Sequence, residues 1–416
     1  MNQVENAPQL RFSGFADAWE QREFKKTFSL LQNNTLSRAE LSESSGVAAN
    51  IHYGDVLIKF GEYLDMLQET FPWIKKQADA DKFRTSFLQD GDVVFADTAE
   101  DETAGKCCEI RNCRNTMIIS GLHTIPCRPV SKFAPGYLGY YLNSTSFREQ
   151  LVPLMQGTKV VSISKAALKS TLIQYPSNDK EQHKIGTLFR RIDHLITLHQ
   201  RKQDVLTKAK NALLEKMFPQ DDEKTPQVRF NGFNDAWEQR KLGDFGTISM
   251  CKRVFKNQTS KSGEIPFFKI GTFGGQADAY ISNTLFEQYA KKYPYPQKGD
   301  ILISAAGSIG KTVEFEGKRE YFQDSNIVWI KHDEALKNSF LKYFYEIVKW
   351  AGLEGSTIKR LYNGIILNTP ITLPRSGEQE KIGALFRNLD SLISLHQRKV
   401  EKLKKLKMAC LEKMFV

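Results

Sequence analysis

The sequence is written twice, and that feature constrains the fold more than any local pattern. Residues 8–22 read Pro-Gln-Leu-Arg-Phe-Ser-Gly-Phe-Ala-Asp-Ala-Trp-Glu-Gln-Arg, and residues 226–240 repeat them with 12 of 15 positions identical. A second block, residues 181–202, returns at 378–399 with 16 of 22 identical. The offsets are 218 and 197 residues, so the material between the blocks is 21 residues shorter in the second half. Two inserts lie inside these frames, residues 24–177 and 242–375, and they align only in patches. Residues 91–96 (Gly-Asp-Val-Val-Phe-Ala) match 299–304 (Gly-Asp-Ile-Leu-Ile-Ser), and the run 157–176 matches 355–374. Preserved frames around divergent inserts suit two related but unequal binding tasks better than a duplication made for stability.

Periodicity gives the coarse structure. In the second block apolar residues fall at Ile185, Leu188, Ile192, Leu195, Leu198, Leu206, Leu213 and Met217, mostly three, four or seven apart, with Lys and Arg between. The copy places Ile382, Leu385, Leu389, Leu392, Leu395, Leu403, Leu406 and Met414 on the same stripe. This spacing predicts two long amphipathic helices, residues 179–218 and 376–416, with Pro219 stopping the first. A helix of about 38 residues is about 57 Å long, too long for one small domain to cover. The two helices are therefore expected to pair, antiparallel, through Ile185, Leu188, Ile192, Leu195, Leu206, Leu213, Ile382, Leu385, Leu389, Leu392, Leu403 and Leu406, with a pseudo-twofold axis inside the chain.

The expected order is a first domain (1–178), a first spacer helix (179–218), a brief polar linker (219–227), a second domain (228–375) and a second spacer helix (376–416). The fold class is α+β, with mixed strand and helix cores joined by coiled-coil helices. Strands are predicted at 54–59, 91–95, 299–303 and 325–330, and helices at 138–152 and 336–351.

A length of 416 residues fits two to three domains. No run approaches the roughly 18 apolar residues of a membrane span, and the opening residues lack a basic segment followed by an apolar one. Six cysteines are too few for a disulfide framework, so a reducing cytoplasm is expected. The 59 Lys and Arg against 48 Asp and Glu leave a net charge of +11, which favours a polyanionic partner, nucleic acid or an acidic membrane surface.

Three local patterns imitate catalytic sites. Residues 305–312, Ala-Ala-Gly-Ser-Ile-Gly-Lys-Thr, fit the loose form of a phosphate-binding loop, but the residues after Lys311 alternate like a strand instead of opening a helix. A glycine-rich hairpin carrying Lys311 toward a phosphate backbone is the better reading. Asp300, Glu316 and Lys318 imitate a metal-dependent nuclease, yet Gly317 between the last two marks a turn. The acidic loop 97–102 lacks the ligand alternation of a calcium site and is read as solvated or as approaching base amino groups. Cys107, Cys108, Cys113 and Cys127, near His123, are not spaced as a zinc knuckle; a strand core is the preferred reading and zinc the alternative. No catalytic residue and no metal ligand is assigned. The rival classes are a stand-alone metal-dependent nuclease and a scaffold that does not touch DNA.

The repeated Arg-Phe-x-Gly-Phe-x-Asp-Ala-Trp-Glu-Gln-Arg segment, the Gly-Asp-Ile-Leu-Ile-Ser strand and the Glu-Gln-x-Lys-Ile-Gly-x-Leu-Phe-Arg helix with Leu-His-Gln-Arg-Lys resemble the specificity subunit of type I restriction-modification systems over essentially the whole chain. The resemblance implies two target-recognition domains, residues 24–177 and 242–375, each reading half of a bipartite site on double-stranded DNA. It implies spacer helices that hold modification (methyltransferase) subunits, two of them, and catalysis placed elsewhere. S-adenosylmethionine would then belong to the modification subunits, and ATP and Mg²⁺ to restriction (translocase/endonuclease) subunits, with no cofactor in this chain. The half-sites would be unlike and separated, with domain centres about 34–36 Å apart, one DNA turn. The candidate DNA contacts are Lys159, Ser162, Lys165, Thr357, Lys359, Arg360, Tyr362 and Asn363, in equivalent loops that combine hydroxyl, basic and amide groups, followed by Lys106, His123, Lys311 and Arg319.

Overall fold

A computed structural model describes residues 7–114, 116–220, 223–351 and 360–416. The chain divides into two compact units, Met1–Gln200 with Arg398–Val416, and Arg201–Gln397. Two long helices, Asp179–Met217 and Ser376–Lys413, each contribute a length to both units. Acidic first turns (Asp179 and Glu181; Glu378) and basic last turns (Lys216; Lys413) match the helix dipole at both ends. No helix among the described residues is long and apolar enough to cross a membrane.

In the first unit a five-stranded sheet runs in the order Phe28–Leu30, Thr124–Pro129, Val93–Ala96, Cys107–Arg111, Tyr63–Asp65. Beside it lies a three-stranded sheet, Trp73–Ile74, Ala48–Ile51, Ile118–Ser120. Val93–Ala96 is buried on both faces, which accounts for its unbroken apolar character, and Cys107–Arg111 is buried apart from half-buried Arg111, with the buried Glu109 carboxylate paired to the Arg111 guanidinium. In the second unit a four-stranded sheet orders Gly246–Met250, Ile327–His332, Ile301–Ser304, Thr312–Glu314, and a three-stranded sheet orders Ala279–Ile281, Ile265–Phe268, Tyr321–Phe322. The matching runs 91–96 and 299–304 begin alike: Gly91 and Gly299 have φ of 96° and 95°, and the carboxylates of Asp92 and Asp300 accept the backbone N–H of Gln89 and Gln297. Asp300 is thus a turn residue. The hairpin reading of 305–312 holds as well, because Thr312–Glu314 is a strand paired back onto Ile301–Ser304.

Two sequence expectations change. Residues 54–59, read as a strand, lie in a helix, Tyr53–Ile58: His52 Nδ1 accepts the Gly54 N–H at 3.2 Å as a cap, and only Val56 is buried while Ile58 is 89% exposed. An apolar run with one buried member does not need a sheet. The helix expected at 138–152 is two helices, Tyr137–Tyr141 and Thr145–Leu151, the second capped afresh by Ser144.

Helix pairing is antiparallel within each unit. In the first, Ile192 and Ile196 pack on Val400, flanked by Leu188 and Leu403, while Ile185 and Phe189 share a core with Cys410, Met414 and Phe415. In the second, Leu213, Leu214, Met217 and Phe218 meet Ile382, Leu385, Phe386 and Leu389. The expected seam is corrected at Leu195, Leu392 and Leu406, which are 40%, 43% and 49% exposed, and Leu206 is half-buried. A straight helix turns about 20° away from a strict seven-residue repeat with each heptad, so leucines at the edge of the stripe come out on the solvent side.

The residues that recur in sequence recur in contact. Arg11 grips Glu181 with both forks (2.6 and 2.8 Å), and Arg229 grips Glu378 likewise (2.7 and 2.8 Å). The Leu10 N–H donates to the Lys413 carbonyl and the Val228 N–H to the Lys216 carbonyl, satisfying a helix end. Trp19 packs edge-on against Tyr137 and Phe415, and Trp237 against Phe218 and Phe340. Lys407 lies between Asp193 and Glu62, both at 2.7 Å, and its counterpart Lys210 between Asp390 (2.7 Å) and Glu346 (2.8 Å). Tyr140 donates to Asp193 and Tyr343 to Asp390; burial, with the neighbouring carboxylate, raises both phenols, so they stay donors. Gly186 is required because a Cβ there would lie 2.5 Å from the Pro135 carbonyl oxygen, and Gly383 because it would meet Ser339 at 2.6 Å.

The same logic closes each insert. Glu20–Glu23 pairs with Leu172–Tyr175, and Glu238–Lys241 with Pro370–Leu373, so the chain enters and leaves each insert side by side.

Candidate nucleic-acid interface

The frames are nearly identical, so a difference in binding has to come from the inserts. Residues 242–375 carry 18 Lys and Arg against 13 Asp and Glu, and residues 24–177 carry 17 against 16. The second insert is the more strongly attracted to a polyanion.

In the first unit the strand Val161–Ser162 pairs with Thr98–Ala99, Ser162 opposite Thr98. The Asp97 N–H donates to the His123 carbonyl, and the Ile163 N–H to the Asp97 carbonyl. The His123 ring lies 3.3 Å from the Asp97 carboxylate and edge-on to Tyr53. The fold thus brings Ser162 and His123 to one edge around Asp97, with Lys159 exposed before the strand and Lys165 exposed at the start of the helix Lys165–Lys169 after it. Lys106 is elsewhere: its ammonium donates to the carbonyls of Leu57 (2.8 Å) and Phe60 (3.1 Å), and burial lowers its pKa. The acidic loop is partly self-satisfied, Asp101 accepting from the N–H and hydroxyl of Thr103.

Cys107, Cys108, Cys113 and Cys127 are buried free thiols, Cys107 and Cys108 on one strand of the five-stranded sheet and Cys127 on the next strand but one. Burial pushes Cys108 up to about 12 and raises the others. Among the described residues no three His, Cys, Asp or Glu converge as a metal site.

In the second unit the expected cations are engaged by the protein's own groups. Lys311 donates to the Phe273 carbonyl, Arg319 to Asn283 and Glu287, and Arg360 to the Ser325 carbonyl at 2.8 Å. Tyr362 and Asn363 are exposed where the helix Asn363–Asn368 begins. Thr357 and Lys359 lie outside the described residues.

The Arg360 contact leads to a site that sequence reasoning missed. Ser325, at φ 50°, belongs to a turn gripped from two sides, by Arg360 at its carbonyl and by Arg253 at the Asp324 carboxylate (2.9 Å). Beside this turn opens a cleft of about 720 Å³ lined by Arg253, Lys256, Lys261, Lys269, Gln323 and Asn326 among others. Lys269 is paired with Asp278, whereas Lys256 and Lys261 make no ion pair with any described residue. The side-chain amide of Asn326 is likewise without a hydrogen-bond partner among the described residues. Free ammonium groups around one unengaged amide supply both classes of contact a nucleic-acid reader needs, phosphate and base edge. The sequence signal was the basic run Lys252, Arg253, Lys256 around Phe255. A second cleft in this unit, about 710 Å³, sets Asp300, Asp333 and Glu334 among its lysines and is less suited to an anion.

Residues 234–405 match the family model described as the type I restriction modification DNA specificity domain. Over those residues the chain is similar to a type I DNA specificity domain. Over 152 residues it is 56% identical to a type I restriction enzyme specificity subunit of Haemophilus influenzae, a match covering 36% of this chain and 40% of that relative. The chain therefore matches about two fifths of that relative's length. Over 425 residues it is 24% identical to the MjaX specificity subunit of Methanocaldococcus jannaschii, covering 97% of this chain and 94% of that one. Its fold is that of the solved specificity subunit from M. genitalium, with a TM-score of 0.64 and 15% identity over 99% of both chains. The matched residues include the strand Glu238–Lys241, the cleft beside Ser325 and most of the second long helix.

Proposed function

We propose that the chain is the specificity subunit of a type I restriction-modification assembly, reading an asymmetric bipartite site on double-stranded DNA with one unit per half-site. The observation that carries this reading is a contrast inside the molecule. Ion pairs, tryptophan seats and helix-end bonds recur at equivalent residues, while the inserts differ in sheet order, charge and loops. A duplicated frame with unlike inserts suits a target in two unlike halves.

Lysines on phosphates supply affinity and polar side chains on base edges supply choice. Exposed leucines of the long helices, Leu195, Leu392, Leu395 and Leu406, give apolar surface for modification subunits, two per chain, with restriction subunits joining them. The chain itself carries out no chemistry. Asp300 is engaged in its turn, and Glu316 and Lys318 form an exposed pair about Gly317. S-adenosylmethionine, ATP and Mg²⁺ act on the partner subunits, and the assembly works in the cytoplasm.

Methylome sequencing of cells expressing the chain with its modification subunits tests the reading. The expected result is one adenine-methylated motif in two unlike parts separated by unspecified bases. A continuous motif, or none, would reject it.

A further inference from the structure

One aromatic ring in the second insert is held in water by a hydrogen-bonded turn. Phe255 is 57% exposed. Its backbone N–H donates to Gln258 Oε1 at 2.9 Å, Gln258 Nε2 donates to the Tyr289 hydroxyl, and the Thr259 hydroxyl donates to the Lys256 carbonyl. Val254 packs against the core beneath and Cys251 is buried. The ring is therefore presented by a pinned turn. It forgoes much of the burial free energy that a phenylalanine normally contributes to folding. Arg253, two residues before it, and Lys256, directly after it, line the basic cleft together with Lys261 and Asn326, whose side-chain amide has no partner among the described residues.

A flat apolar ring next in sequence to a lysine that makes no ion pair with any described residue, at a basic cleft, fits a polymer that alternates phosphate with flat bases. Aromatic side chains stack on bases, and apolar wedges enter base steps and unstack them. We propose that Phe255 enters a base step of the half-site read by the second unit, with Lys256 and Lys261 on flanking phosphates and Asn326 at a base edge. This rests on the reading of the chain as a DNA specificity subunit. Unstacking is easiest at pyrimidine–purine steps, so the wedge itself favours such a step in the recognised sequence.

The test uses the chain assembled with its modification subunits and a library of duplex DNA randomised over its central segment. Phe255→Ala is expected to lower affinity for the selected site by about five- to 150-fold and to relax selection at one step of one half-site. Phe255→Trp is expected to retain both. Lys256→Gln is expected to weaken all sequences alike and to reduce the salt dependence by about one counterion. Because the ring is exposed, Phe255→Ala should melt as the unaltered chain does. A 2-aminopurine placed at the affected step should brighten on binding the unaltered complex and stay dark with Phe255→Ala.

If the unaltered complex selects a two-part motif and Phe255→Ala selects the same motif with equal affinity, the wedge is overturned and the specificity reading stands. If Phe255→Ala loses a protein subunit instead of DNA, the ring is a protein contact and the wedge is again overturned. If the unaltered complex selects no motif, the specificity reading falls and the wedge falls with it.

Discussion

Arg229→Ala is expected to destabilise the second unit by about 3 kcal/mol, the low end for breaking a buried ion pair. The low end applies because Arg229 keeps 15% of its side-chain surface, while Glu378 keeps 1%. Removing the arginine leaves a carboxylate with two hydrogen bonds fewer and almost no water to replace them. The pairing also raises the Arg229 pKa, its hydrogen bonds to Glu378 being the largest cause, so the guanidinium stays charged throughout the working range. Replacing both partners, Arg229→Met with Glu378→Leu, should recover most of the loss, because no orphaned charge remains. A chain of two units need not unfold in one step, so hydrogen exchange is the suitable probe. Amides in the first turns of Ser376–Lys413 should exchange about 150-fold faster in Arg229→Ala. A change equivalent to less than about 0.5 kcal/mol would place the pair with ordinary surface bridges.

Phe189→Ala is expected to cost the first unit about 3–5 kcal/mol. Phe189 is fully buried and stacks on Tyr140 at 4.9 Å and on Phe415 at 5.6 Å. Through these two contacts one ring ties the first long helix both to its insert and to the end of the second. The cavity would open against Cys410, Met414 and Phe415, so residues 410–416 should become the new site of proteolytic cleavage and fast exchange. Phe386→Ala should do the same in the second unit, where the ring meets Tyr343 at 5.0 Å and Phe218 at 6.3 Å. Unchanged protection at 410–416 in Phe189→Ala would show that the helix end is held by other contacts.

These residues also explain why so much of the frame was readable. Arg11, Trp19, Glu181 and Gly186 recur as Arg229, Trp237, Glu378 and Gly383, and each pair makes the same contact, so identity across the repeat marked structural necessity. Helical periodicity set the long helices within a few residues of Asp179–Met217 and Ser376–Lys413. It was less informative about which leucines face the partner helix, because a straight helix drifts from a strict heptad and turns leucines at the edge of the stripe toward solvent. The strand expected at 54–59 fell to a local cap by His52, an interaction with no signature in an apolar run.

The interface was harder to read for another reason. Positive charge is visible in a sequence, but its use is not: Lys106, Lys311 and Arg319 spend their donors on the protein's own carbonyls and side chains. The cleft beside Ser325 is assembled from segments near residues 253–261, 267–279 and 323–326, which only the sheets bring together.

The central claim is that two unlike inserts, set in one repeated frame, each read their own half of a DNA site. Exchanging residues 242–375 for the corresponding insert of a different specificity subunit, then sequencing the methylome, tests it most directly. The expected outcome is a motif with one half replaced and the other half unaltered. A motif altered in both halves would contradict the claim.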